Sequence, residues 1–433
     1  GSYIDLFLFS AITQILFSVS MYWVFIHNVN DFIVPGIFPY YSILAIGTLA
    51  LLGWMMLIVL GIGFDRLPLD HKSAPFDRST INTVATLNVV GQLFITVGIL
   101  TGDIQYLQSL GMIGGSILGL QLIMLGPLGR KIVKERKSDG KEKVGMWGVG
   151  TLTSLPIIGM LTILVWLFAD TNWLYMLYYS IVVEGFWLMV SFAFILAHFQ
   201  QRLDWKLMDA KTTNMAFTVF VSLTIIHLIL EYLFQSGTIA DRRVQASISL
   251  PILWVFFVSR PVKIWKHVFA GKKCSAQLLS AHSWLLSTAF VGVYETFFLT
   301  NMTDMFYTRL MLMFGIIGQS IWGSAVHLHY DHTHTNIEDR EERWVSVGAM
   351  MIVMFGIFYL ILARGGHVND VYSEFITFFC LVALLAAYLE FMLWLFSDVL
   401  NVGSEWHRMP MFYSGMDSDT GIDPYFPNDD SSE

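Results

Sequence analysis

Long runs of apolar residues, separated by short polar segments, recur along almost the whole chain of 433 residues. A helix of about 20 apolar residues can cross the roughly 30 Å hydrocarbon core of a bilayer. The pattern predicts twelve spans, at about 3–27, 39–63, 81–101, 105–128, 147–168, 173–199, 214–235, 244–259, 276–300, 306–330, 344–364 and 372–400. The sequence therefore predicts an all-α, polytopic membrane bundle over residues 1–400 and a polar tail over residues 401–433.

Composition and charge agree with this membrane architecture. The chain is 55% hydrophobic and 13% charged, whereas soluble domains carry roughly 25% charged residues. With twelve spans and a cytoplasmic N-terminus, 21 of the 25 lysines and arginines fall in inner loops and four in outer loops. Because cytoplasmic loops are enriched in basic residues, this distribution predicts that both termini are cytoplasmic.

The formal net charge of −8 comes largely from the end of the chain, "GMDSDTGIDPYFPNDDSSE". This acidic, proline-containing segment is typical of a solvated cytoplasmic tail. A second interpretation is that the tail docks a partner subunit. No basic surface suggests nucleic acid, and the chain contains no phosphate-binding loop, dinucleotide fingerprint or HExxH motif.

Small residues mark one face of the fourth predicted span. Gly111, Gly115 and Gly119 are spaced four apart. Because such stripes let helix backbones approach closely in membranes, they predict a packing contact between helices.

Ionisable residues inside the predicted spans are the main candidates for a functional site. They are Glu184 in the sixth span, His227 and Glu231 in the seventh, and Glu295 in the ninth. Arg309, at the outer start of the tenth span, reaches the same outer half of the membrane. His227 and Glu231 are four apart and share one helix face. Such residues are costly in a bilayer and mark functional sites. Three interpretations stay open: structural pairing, a polar cavity or proton relay, and a metal site formed by Glu184, His227 and Glu231.

A second group of candidates is the segment "HLHYDHTHT" at the cytoplasmic end of the tenth span. It contains His327, His329, His332 and His334. Imidazoles bind transition metals, but this spacing matches no standard zinc signature. The acidic residues that follow favour a solvated or interface loop, so a metal site and a docking loop are both open.

Several stretches resemble the large subunit of nitric oxide reductase, a family of the haem-copper oxidase superfamily. "QILFSVSMYWVFIHNVNDFIVPGIFPYY", residues 14–41, resembles its first helix and the following outer loop. "VVEGFW", residues 182–187, is similar to its sixth-helix motif H-L-W-V-E-G-V-W. "EYLFQSG…ASISLPILWVFF" follows its seventh and eighth helices, and "FVGVYETFFLTNMTDMFYTR" is a looser match to its ninth and tenth. The resemblance covers about half of the chain, and it implies a bundle like subunit I of the haem-copper oxidases.

The resemblance also implies that the ligands of the family's two haems and non-haem iron are missing. Ser180 stands where the family has a histidine four residues before its active-site glutamate, which corresponds to Glu184. Leu230 and Glu231 replace a histidine pair in the seventh helix. The second-helix haem histidine falls in "YYSILAIGTLALL" and the tenth-helix H-G-H falls near residues 316–320, both without histidine.

These features imply a haem-free relative that is not catalytic alone. We expect a scaffold or anchor in a respiratory or nitrogen-metabolism complex of a prokaryotic cytoplasmic membrane. Its partners would be the lipid bilayer and other subunits, docked through the acidic tail and the histidine-rich loop, and no cofactor is predicted. One alternative is an oxidoreductase that binds haem b, non-haem iron or copper through other ligands. A second alternative is a transporter or proton channel.

Overall fold

The structure is a computed structural model that describes residues 3–27, 40–71, 76–130, 146–168, 172–203, 205, 207–239, 261–299, 306–332 and 344–401. Its described residues form helices and connecting turns, with no strand among them. The helices are α1 (Tyr3–His27), α2 (Tyr40–Thr48, Leu49–Trp54 and Met55–His71), α3 (Arg78–Leu100), α4 (Ile104–Met124), α5 (Met146–Leu167), α6 (Asn172–Tyr179, Ser180–Trp187, Leu188–Leu196 and Ala197–Arg202), α7 (Ala210–Gln235), α8 (Pro261–Phe269), α9 (Ala276–Phe298), α10 (Phe306–Met311, Leu312–Gly318 and Gln319–His332), α11 (Trp344–Arg364) and α12 (Ser373–Asn401).

Ten of the described helices are long and apolar enough to cross a membrane, which makes the chain an integral membrane protein. They agree with ten of the predicted spans to within a few residues. Helix α9 coincides with the predicted span 276–300, but its serine, threonine, histidine and glutamate residues lower its hydropathy, and it is not among the ten. The predicted span 244–259 and residues 402–433 of the predicted tail lie outside the described residues.

Helices α2 and α10 form the centre of the described bundle. In each, 89% of the apolar stretch is buried within the protein, against 17% in α7. Helix α10 contains a π-helical turn, Leu312–Gly318, and α2 has a kink at Gly53, within residues 49–54. π-Helical turns shift the register of the side chains by one residue and often occur at functional sites.

An aromatic cluster joins the two central helices to α12. Trp54 of α2 stacks on Trp322 of α10 with ring centroids 5.5 Å apart. Tyr388 of α12 meets both rings edge-on, at 5.5 Å from Trp54 and 5.4 Å from Trp322. All three side chains are fully buried. Because lipid is as apolar as these rings, the cluster holds the helices together mainly through van der Waals packing.

The glycine stripe of α4 makes the predicted packing contact, against α5. A Cβ atom on Gly115 would lie 2.1 Å from Cδ1 of Trp166, and one on Gly111 would lie 2.2 Å from Cζ3 of the same ring. At Gly119 a Cβ atom would lie 2.6 Å from the carbonyl oxygen of Gly159. Gly111 and Gly115 therefore form the surface on which the Trp166 indole packs, and Gly119 allows the backbone of α5 to approach.

Replacing Gly115 with alanine should destabilise the bundle. The added methyl group overlaps the buried Trp166 ring, and overpacking of this kind costs about 1–3 kcal/mol. The matched control is Gly348→Ala in α11, where an added Cβ meets no atom within 4 Å. The control should leave stability unchanged or raise it by up to about 1 kcal/mol, because alanine favours a helix. Thermal unfolding in detergent measures both, and equal midpoints would contradict the packing contact.

Candidate functional site

Helices α6, α7 and α10 bring Glu184, His227 and Arg309 together. Arg309 Nε donates a hydrogen bond to Glu184 Oε1 at 3.2 Å. His227 Nε2 lies 2.5 Å from Glu184 Oε2. The ring N–H is not aligned with the carboxylate as in a hydrogen bond, so this contact is an ion pair when the imidazole is protonated. One carboxylate thus contacts a cation on one oxygen and a titratable ring on the other.

Helix α6 presents further groups to the guanidinium, one from its π-helical turn Ser180–Trp187 and one from the preceding Asn172–Tyr179 segment. Arg309 Nη2 donates to Ser180 Oγ at 2.8 Å, and its Nη1 contacts Met176 Sδ at 3.7 Å. Met176, Ser180 and Glu184 are spaced four apart and all face Arg309. The arginine is therefore held along one face of α6, where the side chain is mostly buried.

Helix α7 turns the side chains of His227 and Glu231 toward the bundle. It begins after Asp209, whose carboxylate accepts a hydrogen bond from the Thr212 N–H at 2.8 Å; hydrogen bonds from Thr212 lower the pKa of Asp209. Its exposed large hydrophobic side chains include Ile225, Ile226, Ile229 and Tyr232. His227 and Glu231 are only 2% and 1% exposed, so they lie on the face that packs inward. Glu231 lies one turn from His227 on that face.

Glu295 of α9 binds the beginning of α10. Its Oε1 accepts from the Tyr307 N–H at 3.2 Å, and its Oε2 accepts from the Thr308 N–H at 2.9 Å and the Thr308 hydroxyl at 2.6 Å. The first N–H groups of a helix lack partners within the helix and favour an anion. Glu295 therefore fixes the turn that carries Arg309, the next residue. Glu295 thus supports the site through the backbone next to Arg309 and not through Glu184.

Arg309 also reaches an apolar cleft between α1, α2, α6 and α10. The cleft is partly open and is lined mostly by aliphatic and aromatic side chains. The Tyr179 hydroxyl in its wall donates to the carbonyl oxygen of Ile43 at 2.9 Å. A Cβ atom on Gly47 would lie 2.0 Å from that hydroxyl oxygen, so glycine is needed there.

The described part of the histidine-rich segment divides between two sides of α10. The His327 ring packs on His198, with centroids 4.5 Å apart, and His198 Nε2 accepts from the Ser275 N–H at 3.2 Å. His329 Nδ1 lies 3.3 Å from the hydroxyl of Tyr3. The His332 side chain and all of His334 lie outside the described residues. Across the described ranges, no group of three or more histidine, cysteine, aspartate or glutamate residues is placed to hold a metal ion.

Sequence reasoning identified the three central residues of the site but missed their neighbours. The sequence marks Ser180 only as the replacement of a histidine, and it does not mark Met176. A polar residue one turn before a buried glutamate was the available signal for Ser180. Met176 carried no signal, because methionine is ordinary in an apolar helix.

Removing the arginine should be more costly than removing the whole ion pair. Arg309→Met leaves Glu184 buried without its cation, and losing one partner of a buried pair costs about 3–5 kcal/mol. The double variant Glu184→Gln/Arg309→Met should recover part of that loss. The control is Arg364→Met, an exposed arginine at the end of α11, for which we expect a change within about 0.5 kcal/mol. Thermal unfolding of Arg309→Met, Glu184→Gln and the double variant gives a double-mutant cycle. Additive changes in the free energy of unfolding would contradict coupling between Glu184 and Arg309.

Comparison with known proteins adds no family to these observations. The chain matches no protein-family model, and no curated protein matches it. A functional proposal therefore depends on the side chains and contacts described above.

Proposed function

We propose that this protein is a scaffold subunit of a larger membrane complex, with a bundle like that of the nitric oxide reductase large subunit but without its haem and iron chemistry. The observation that carries the proposal is the binding of Arg309 to both Ser180 and Glu184. The resemblance of the sequence to that family assigns these two positions to the metal centre.

The groups around Glu184 do not fit a non-haem iron of the family's type. Ser180 takes the place of a ligand histidine, and one imidazole, His227, lies against the carboxylate. The Arg309 guanidinium, 3.2 Å from Glu184 Oε1, is charged at any physiological pH. It repels a metal cation and engages the carboxylate that would bind one. The guanidinium thus supplies the positive charge that a carboxylate needs in the bilayer.

The packing between the central helices does not fit a haem either. By the resemblance, the low-spin haem would lie between the second and tenth helices. In that region Trp54, Trp322 and Tyr388 are in mutual contact, with ring centroids 5.4–5.5 Å apart. All three are fully buried. A porphyrin at the level of Trp54 and Trp322 would have to displace these packed rings, which supports a haem-free bundle.

The hydrogen bonds and ion pairs between helices also suit a rigid anchor. The Glu184 network ties α6, α7 and α10 together, and Glu295 ties α9 to α10. A bundle locked by buried ion pairs can support other subunits without moving itself. Within the proposal, the acidic tail and the histidine-rich loop are the docking surfaces, and the complex serves respiration or nitrogen metabolism in a prokaryotic cytoplasmic membrane, with both termini cytoplasmic.

The proposal is tested by purifying the full chain from its own membrane in mild detergent. We expect other subunits to copurify, and we expect the separated chain to give no haem b bands in a reduced-minus-oxidised spectrum. Iron and copper should be well below one atom per chain. A haem-binding membrane protein from the same cells, carried through the same steps, controls for loss of haem. Bands of haem b or stoichiometric metal in this chain would contradict the proposal.

A second candidate function is proton transfer, and the contact between His227 and Glu184 favours it. His227 Nε2 and Glu184 Oε2 are 2.5 Å apart, so a rotation of the ring that aligns its N–H with the carboxylate would allow the two groups to exchange a proton. Glu231 lies one turn along α7 and is buried. Proton relays in membranes are built from aspartate, glutamate and histidine side chains.

Glu184→Gln separates the two candidates. Glutamine keeps the size and the hydrogen bond to Arg309 but cannot carry a proton. If the protein is a scaffold, the variant chain should be less stable, because Arg309 loses its buried counter-charge, but the assembled variant complex should retain the activity and proton uptake of the unaltered complex. A relay would instead lose proton uptake, measured in liposomes with an enclosed pH-sensitive dye. Glu374→Gln, at an exposed glutamate at the start of α12, is the matched control and should change neither.

A further inference from the structure

Helix α2 is interrupted in the middle of the bundle, at Gly53. The backbone there has φ −87° and ψ −107°, which is not helical. Side chains from neighbouring helices bind the carbonyl groups on either side of the break. Asn88 Nδ2 of α3 donates to the carbonyl of Leu52 at 2.8 Å, and Ser10 Oγ of α1 donates to the carbonyl of Trp54 at 2.9 Å.

The Leu52 carbonyl determines how the amides of α3 and α4 are oriented. A carbonyl oxygen can only accept, so the Asn88 group facing it is the NH₂. Its second hydrogen is donated to Gln121 Oε1 at 3.0 Å. Asn88 Oδ1 can therefore only accept, and it does so from Gln92 Nε2 at 2.5 Å. It follows that the free end of the Gln92 amide is its oxygen.

The Trp54 carbonyl determines the orientation of Gln14 in the same way. It accepts a hydrogen bond from the Ser10 hydroxyl, so Ser10 Oγ can only act as the acceptor toward Gln14 Nε2, at 3.2 Å. The free end of the Gln14 amide is therefore also its oxygen. The Leu52 and Trp54 carbonyls are two residues apart, so both networks meet at one turn of α2.

Two buried amide oxygens thus belong to the networks that are anchored beside the break. Gln14 Oε1 and Gln92 Oε1 belong to side chains with no exposed surface, and neither oxygen has a hydrogen-bond partner among the described residues. Gln92 Oε1 lies against Gly53, since a Cβ atom there would be 2.4 Å from it. The hydroxyl of Thr96, one turn beyond Gln92 on α3, is also buried and without a partner in the described part of the chain.

We propose that Gln14, Gln92 and Thr96 bind a sodium ion at the break of α2. The groups they present are uncharged oxygens, which hard cations prefer and which suit a monovalent rather than a divalent ion. The part of α2 before Gly53 ends there, and the C-terminal end of a helix carries partial negative charge. Broken membrane helices bind sodium through such ends. A water molecule on the ion would accept from Gln121 Nε2, the one amide donor of the network left without a partner among the described residues.

The site is tested with the purified full chain in detergent. We expect the midpoint of thermal unfolding to rise saturably with sodium chloride, at ionic strength held constant with choline chloride, and to rise less with potassium. The midpoint should rise because an ion that binds only the folded state stabilises that state. Equilibrium binding of radioactive sodium should reach about one ion per chain. Gln14→Met, Gln92→Met and Thr96→Val should weaken both effects. Gln277→Met, a buried glutamine at the start of α9, is the matched control and should keep them.

Each result decides the assignment. Equal midpoints in sodium and choline, with no radioactive sodium bound, would mean that the oxygens bind water, and would overturn the proposal. A sodium effect that survives in Gln14→Met and Gln92→Met would place the ion elsewhere and overturn it too. A larger effect of potassium would overturn the choice of sodium. If the variants do not fold, the two measurements on the unaltered chain still decide whether a sodium ion binds.

Discussion

A charge inside a low-dielectric bundle needs a partner, and the arrangement of α6, α7 and α10 depends on that constraint. Glu184 has its partners in Arg309 and His227, which come from two other helices. An unpaired carboxylate at this depth would cost several kcal/mol, by the estimate of about 3–5 kcal/mol for breaking a buried pair. The helices are therefore held at the distances at which these groups meet. Glu295 extends the arrangement by binding the turn that carries Arg309.

The same constraint acts on uncharged groups at the break of α2. Carbonyls released from a helix must find donors, and here they find Asn88 and Ser10. Each donor then requires a partner of its own, so the polar network spreads to α1, α3 and α4. The Glu184 site and this network differ in one respect. The first is closed by opposite charges, whereas the second ends in uncharged groups, among them the Gln14 and Gln92 oxygens, and that difference leads to different proposals for the two places.

The extent of the membrane bundle followed well from the sequence, because a span needs only length and apolarity. The face of α7 followed as well, since His227 and Glu231 are four apart and both turn inward. The partner of Glu184 did not. Arg309 is 125 residues away along the chain, and its placement at the outer start of a predicted span was compatible with contact or with solvent. The role of Glu295 was also hidden, because a helix N-terminus from another part of the chain is invisible in local sequence.

Sequence by itself determined that this is a helical membrane protein, where ten of its helices run, and which ionisable residues face the bundle. These properties depend on local composition and on helical periodicity, which every stretch of chain carries with it. Only the tertiary structure decided that Glu184 binds an arginine, that three aromatic rings pack between α2, α10 and α12, and that Gln14 and Gln92 belong to networks that meet at one helix break. Those outcomes depend on distances between residues far apart in sequence, which packing alone sets.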